Sequence, residues 1–236
     1  MRIFPPIARV LALLVFLSSV AQADELVEGF KAYQKGDFAI ALKAFEVAAE
    51  KEDPMGMHLL GSLYFEGNGV EKDAAKAKGL FEKAAAKGFG ASVEQLGSMY
   101  LRGNGVNKNI EKAIEYFKKA ADEGSLKSMF DLAQIYRGGD GVTKNPIKAV
   151  KYYEVAAKNG YLPALNEYGL LFAQGFGVDQ DYLEAYAWFS LAVENKDEHA
   201  PQNLAMVKRV LGDEKLPAAE KRLAKVKDTY FNQLKE

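Results

Sequence analysis

The 236-residue sequence contains no cysteine. Disulfides, thiol nucleophiles, thiolate metal sites and a lipid-carrying N-terminal cysteine are all excluded by that one absence. Histidine is nearly as scarce, with only His58 and His199. Two histidines so far apart in sequence have no ligand spacing for zinc, and no Ser, His and Asp fall together as a nucleophile with its base. An excess of one charge is missing too: 31 Lys and Arg face 32 Asp and Glu, for a formal net charge of −1. Acids and bases are interspersed, so the clustered basic face that nucleic acid requires is absent, as is a polybasic membrane patch. No Asn-x-Ser/Thr acceptor occurs, and Gln233-Leu234-Lys235-Glu236 is no retention signal, which favours a bacterial exported protein over a eukaryotic luminal one.

What is present begins with a leader. Arg2 and Arg9 form a positive start, Val10 to Val20 is uncharged and mostly apolar, and Ala21-Gln22-Ala23 supplies a small-x-small cleavage site. This apolar run of 11 residues is shorter than the roughly 20 needed to span a bilayer. The expectation is a signal peptide over 1–23, cleavage after Ala23, a periplasmic or secreted location, and no stable membrane insertion afterwards.

The rest of the chain repeats. Gly-x-Gly-Val occurs at Gly67, Gly103, Gly139 and Gly175, each step 36 residues without insertion. The same register aligns Leu60, Leu96, Leu132, Tyr168 and Leu204, then Gly61, Gly97, Ala133, Gly169 and Ala205, then Tyr64, Tyr100, Tyr136 and Phe172. Small residues Gly56, Ser92, Ser128, Ala164 and Ala200 lie one turn earlier. Spacings of three and four place them on one helix face, where small side chains admit a neighbouring backbone. This is helix A of each repeat.

Beyond the glycine turn, Asp37, Asp73, Asn109, Asn145 and Asp181 share a column of N-cap residues. Pro146 follows at the first helical position, where its missing N–H leaves no bond unmade. Helix B then carries Ala41, Ala77, Ala113, Ala149 and Ala185, and four residues on Phe45, Phe81, Phe117, Tyr153 and Phe189. Gly88, Gly124 and Gly160 stand where a left-handed residue ends a helix. One hairpin of this kind cannot bury both faces, whereas stacked neighbours share a continuous core. The fold expected is all-α: a right-handed solenoid of antiparallel helix hairpins.

Leu60-Gly61-x-x-Tyr64, Gly67-x-Gly69-Val70, Asp73 and Ala84-Ala85-x-x-Gly88 resemble the Sel-one-like repeat family, a relative of the tetratricopeptide repeats. Four copies are placed at 53–88, 89–124, 125–160 and 161–196. Residues 24–52 resemble a plain tetratricopeptide hairpin, with Gly36-Asp37-Phe38 as the shorter turn. Residues 197–236 depart from the pattern. His199 to Leu211 reads as a further helix A, and Leu216 to Leu234 as a long capping helix starting near Pro217, against which Trp188 is expected to pack.

The resemblance implies a protein-binding scaffold, with roles such as assembling envelope machinery (flagellar motor parts and polysaccharide export among them) or contacting host cells. Cysteine-rich relatives imply an alternative, a cell-wall-directed hydrolase or binder of β-lactams or muropeptides. That branch depends on a disulfide in each repeat, which this chain cannot form. The glycine loops lack the Lys-Ser/Thr of a phosphate loop and recur four times, as turns needing positive φ do and a single active site does not. Asp122-Glu123 and Asp197-Glu198 fall at helix ends, where solvated charge is expected. No catalytic residue, cofactor or metal is expected.

By the same resemblance, helix A lines a concave groove that receives protein partners of the envelope or host. The positions assigned to it are Phe30, Tyr33, His58, Phe65, Glu94, Leu101, Lys127, Phe130, Arg137, Asn166 and Leu170. They vary between repeats while the core columns do not, and aromatics with arginine suit an interface hot spot. For Phe65, Leu101 and Leu170, packing against neighbouring helices explains the residue equally well.

Overall fold

The structure, a computed structural model, describes residues 25–231; the expected leader lies outside the described residues, as do 232–236. Every element among the described residues is a helix. Helix α1 covers 25–35. It is followed by α2 (Phe38–Glu50), α3 (Pro54–Glu66), α4 (Ala74–Ala86), α5 (Gly90–Arg102), α6 (Ile110–Asp122), α7 (Leu126–Gly138), α8 (Pro146–Lys158), α9 (Leu162–Gln174), α10 (Tyr182–Glu194) and α11 (Ala200–Tyr230). Each helix from α2 to α10 is 13 residues long. That uniformity follows from start and stop signals set at fixed spacing.

The stops on the A helices α3, α5, α7 and α9 are Gly67, Gly103, Gly139 and Gly175, all left-handed, with φ between 66 and 80°. The loop then closes on its own helix. The backbone N–H groups of Asp73, Asn109 and Asn145 each donate to the carbonyl of the aromatic nine residues earlier, at 2.8 Å, and Asp181 does so at 3.1 Å. On the other side of that cap, Asp73, Asn145 and Asp181 accept backbone N–H bonds from the first turn of α4, α8 and α10. Asp37 does not: its side chain makes no cap bond, and only its carbonyl accepts, from Ile40 and Ala41. Its φ and ψ of −80° and 64°, imposed by the short Gly36-Asp37 turn, differ from the extended backbone of the working caps. Asp53, Ser125 and Asp197 cap α3, α7 and α11, three caps the sequence reading passed over.

The second glycine of each loop has a different role. A Cβ on Gly69, Gly105, Gly141 or Gly177 would stand 2.7, 2.1, 2.5 or 2.7 Å from an atom of Phe38, Ala74, Ile110 or Pro146. Those four residues open the B helix of the preceding hairpin. Each loop therefore rests on the hairpin before it, and only hydrogen fits.

The chain divides into two compact units, one ending at Asn109 and the other beginning at Ile110. In the first, Phe45 and Phe81 with Ala41, Ala77, Ala48 and Ala84 form the buried stripe of the B helices. In the second, Phe117, Tyr153 and Phe189 with their alanines repeat it. Gly56 marks a close helix approach, where a Cβ would lie 2.4 Å from Ala48. The A-helix column Leu63, Met99, Ile135 and Leu171 is as deeply buried as the columns picked out by repeat alignment.

At the C-terminal end the two expected helices, numbered together as α11, meet at a kink at Gly212, with φ 63° and ψ 170°. Within its first half Ala200, Val207 and Leu211 are buried while Ala205 is exposed and Leu204 half-buried, so the A-helix register has rotated. The second half folds over α10. Trp188 is fully buried beneath it, with ring centroids 6.1 Å from Tyr230 and 6.3 Å from Phe231. Its indole N–H donates to Glu184, which pairs with Arg222 of α11.

Candidate functional site

Of the residues assigned to a groove, only Phe30 and Lys127 are exposed. Asn166 is a correction: it is 3% exposed, and its side-chain carbonyl accepts a 2.8 Å bond from Asn203. Tyr33, His58, Phe65, Glu94, Leu101, Phe130, Arg137 and Leu170 are half-buried. The solvent face of the A helices instead follows Met55-Leu59-Ser62-Glu66 in α3 and Lys127-Asp131-Gln134-Gly138 in α7. That stripe is three residues out of step with His58 and Phe65, a rotation of roughly 60° about the helix axis. The rotated flank is where the next A helix packs.

In the first unit, His58 shows what the flank does. Its ring lies 5.3 Å from Phe81 and 5.1 Å from Phe89, and Nδ1 is 2.9 Å from Ser92 Oγ. Burial holds its pKa below the ordinary imidazole value, against the opposing charge of Glu94, so His58 is a neutral joint between hairpins. Phe65 packs edge-on against Phe81 with Lys72 over its ring. Tyr33 donates to Glu66 at 3.0 Å, and burial together with that carboxylate raises its phenol pKa.

The second unit repeats the pattern with different chemistry. Phe130 wedges between Tyr153 and Tyr161 at 5.6 and 5.4 Å. Arg137 pairs with Glu167 of the next A helix, and Lys127 with Asp131 one turn on at 3.2 Å. Leu170 packs against the core cluster. Apart from Lys127, whose pair stays within α7, these side chains join helix to helix.

An open apolar cleft lies between α1 and α3. Leu26, Val27, Phe30 and Lys31 of α1 and Met55 and Leu59 of α3 line a cleft of about 360 Å³. Val27 is 51% exposed, Phe30 45% and Met55 50%. Phe30 was expected here; Val27, Met55 and Leu59 were not. Met55 shares its column with Ala91, Lys127 and Pro163, and that variability was the available signal. A cleft of this kind offers apolar contact area with one flanking cation and no acid–base pair. Among the described residues no group of three His, Asp or Glu is placed to hold a metal, and no helix is long and apolar enough to cross a membrane.

Known proteins share this architecture. The chain resembles the crystal structure of c5321, a protective antigen of uropathogenic Escherichia coli with an SLR fold, at 28% identity and TM-score 0.78. That likeness covers 89% of this chain but only 46% of the E. coli protein. A Sel1 repeat protein of Oxalobacter formigenes is 28% identical with TM-score 0.72, over 85% of this chain and 84% of its own. A Klebsiella pneumoniae sel1 repeat protein, 17% identical with TM-score 0.52 over 79% and 93% of the two chains, shares the fold. No curated protein matches in sequence. The Sel1 repeat profile matches residues 54–89, 92–125, 126–161 and 162–197. With more than half its length in four successive copies, the chain belongs to the Sel1 repeat family, whose members are generally protein-interaction scaffolds.

Proposed function

We propose that this protein is a non-enzymatic adaptor, periplasmic or secreted, that binds a segment of another protein along the exposed face of its A helices. The observation that carries the reading is the cleft between α1 and α3, where Val27, Phe30, Met55 and Leu59 hold apolar surface open to water. Exposed apolar clusters on soluble domains mark interaction sites. An extended or helical segment placing one or two large apolar side chains there would bury them against an aromatic anchor. The exposed polar pair of Tyr33 with Glu66 supplies a rim. The leader read at 1–23 supports export, and the E. coli relative's standing as a protective antigen fits an accessible location.

Capture on the immobilised protein from envelope extracts should recover one dominant partner. Phe30→Asp with Met55→Asp should abolish that capture while leaving the urea midpoint in place. Capture that survives both substitutions refutes the cleft as the anchor. N-terminal sequencing of the exported protein should begin at Asp24, and a retained leader in the cytoplasm would refute the location.

A further inference from the structure

A second apolar surface lies on a different face, and the repeat itself says what kind of element covers it. In the B helices, one outward stripe runs through positions three, seven and ten of each helix. In the middle repeats it reads Lys76, Leu80, Lys83; then Lys112, Tyr116, Lys119; then Lys148, Tyr152, Val155. The lysines are exposed, as on a solvated surface. At the two ends of the array the lysines disappear. In α10 the stripe is Glu184, Trp188, Leu191, and in α2 it is Ile40, Ala44, Val47.

The α10 stripe is buried because the second half of α11 lies on it. That half is an amphipathic helix with Ala219, Leu223, Val226 and Tyr230 on its buried or half-buried face and Arg222 paired to Glu184. In α2 the corresponding stripe is flanked by α1, which packs on Ala44, so that Ala44 and Val47 are half-buried and Ile40 is left exposed. Ile40 is 60% exposed, and with Gly29, Ala39, Ala44 and Val47 it borders a concavity of about 520 Å³. The hollow exists because its floor is small. Gly29 lies so close to α2 that a Cβ would stand 2.6 Å from Ala44, and Ala44 occupies the column that carries Trp188 at the other end. The bulk that α10 provides from below must be brought to α2 from above. On the rim, Glu25 and Glu28 of α1 are already paired with Lys51 and Lys31, and Lys43 stands on the α2 side.

We infer that the α2 face is a docking surface for an amphipathic helix of a partner protein. That helix carries large apolar residues at spacings of three and four and an acidic residue beside Lys43. The recognition mode is a helix laid in a groove, read by residues one and two turns apart. It is separate from the α1–α3 cleft, and either surface can fail without the other.

The probe is a labelled synthetic peptide of residues 213–231 of this chain, the helix that covers the equivalent stripe of α10. It is titrated into the full chain and followed by fluorescence anisotropy. Saturable binding is expected. Ile40→Asp and Val47→Asp, each made singly and checked for an unchanged urea midpoint, should weaken it about tenfold or more, as removal of a central anchor does. Ile147→Asp, at another exposed apolar site, and Phe30→Asp, in the other cleft, should leave it unchanged. Leu223→Asp within the peptide should abolish it. Absence of saturation up to about 1 mM overturns the inference. So does binding that survives Ile40→Asp, which would mean exchange with α11 on α10. Self-association of the chain that competes with the peptide and is lost in Ile40→Asp would make a second copy the occupant, and also overturns it.

Discussion

Gly105 and Gly88 are both left-handed, at φ 74 and 84°, and both belong to the first unit, yet they should respond differently to alanine. At Gly88 nothing lies within 4 Å of the added Cβ, so Gly88→Ala carries only the backbone penalty, about 1 kcal/mol. At Gly105 the new Cβ would lie 2.1 Å from Ala74 Cβ and 3.3 Å from its Cα. Carbon atoms pack at about 3.5–4.0 Å, so the loop and α4 must separate by roughly 1.5 Å. Overpacking of that kind adds about 1–3 kcal/mol to the backbone penalty. Gly105→Ala should therefore destabilise by roughly 2–4 kcal/mol. Ala74→Gly should return most of the steric part, giving a coupling of about 1–3 kcal/mol in a double-mutant cycle. Urea unfolding followed by circular dichroism measures the four stabilities, and hydrogen exchange of the α4 and α5 amides localises the loss. Equal effects at Gly88 and Gly105, or no recovery with Ala74→Gly, would refute the reading that each loop is seated on the preceding hairpin.

Two further outcomes follow from the same geometry. The column Gly88, Gly124, Gly160 continues to Glu52 and Lys196, the only non-glycine residues with positive φ among those described, at 60 and 63°. Lys196→Gly should raise stability by about 0.5–1 kcal/mol, the left-handed penalty less the added chain entropy. Glu52→Gly should act in the same direction, most clearly at high salt where its pair with Lys87 is screened; a loss of stability in both variants would refute the assignment. His58 is held below its ordinary pKa by burial, so the unfolded chain binds its proton first as pH falls. Its contribution is complete above the unfolded value near 6.5 and is lost as pH drops below it. Urea midpoints measured from about pH 7.5 down to about pH 5 should fall more steeply in the native chain than in His58→Gln. Parallel profiles would show that His58 is not the titrating group.

Much of the helical layout was readable in advance because it depends on local rules. The left-handed φ of Gly67 and its repeats, the caps at Asp73, Asn145 and Asp181, and the three-and-four spacing of Leu60, Gly61 and Tyr64 each act within one or two turns. Where local rules weakened, expectation slipped. Asp37 has a capping side chain, but its two-residue turn denies it the backbone to use it. Leu204 and Ala205 keep the repeat spacing, yet α11 rotates them outward because its second half, rather than another hairpin, covers α10.

Most of the positions assigned to the groove are half-buried for a related reason. Helix periodicity says which residues share a face, but the direction of that face is fixed by the neighbours. A shift of three residues moves a side chain onto a packed flank, and that is where His58, Phe130 and Arg137 are found. Sequence alone determined that this chain is a 36-residue helix-hairpin array, because propensity, capping and glycine conformation act locally and repeat. Only the tertiary structure decided which variable residues remain open to water, since solvent exposure is set by what packs against each helix. It left Val27, Phe30 and Met55 uncovered on one face and Ile40 on another.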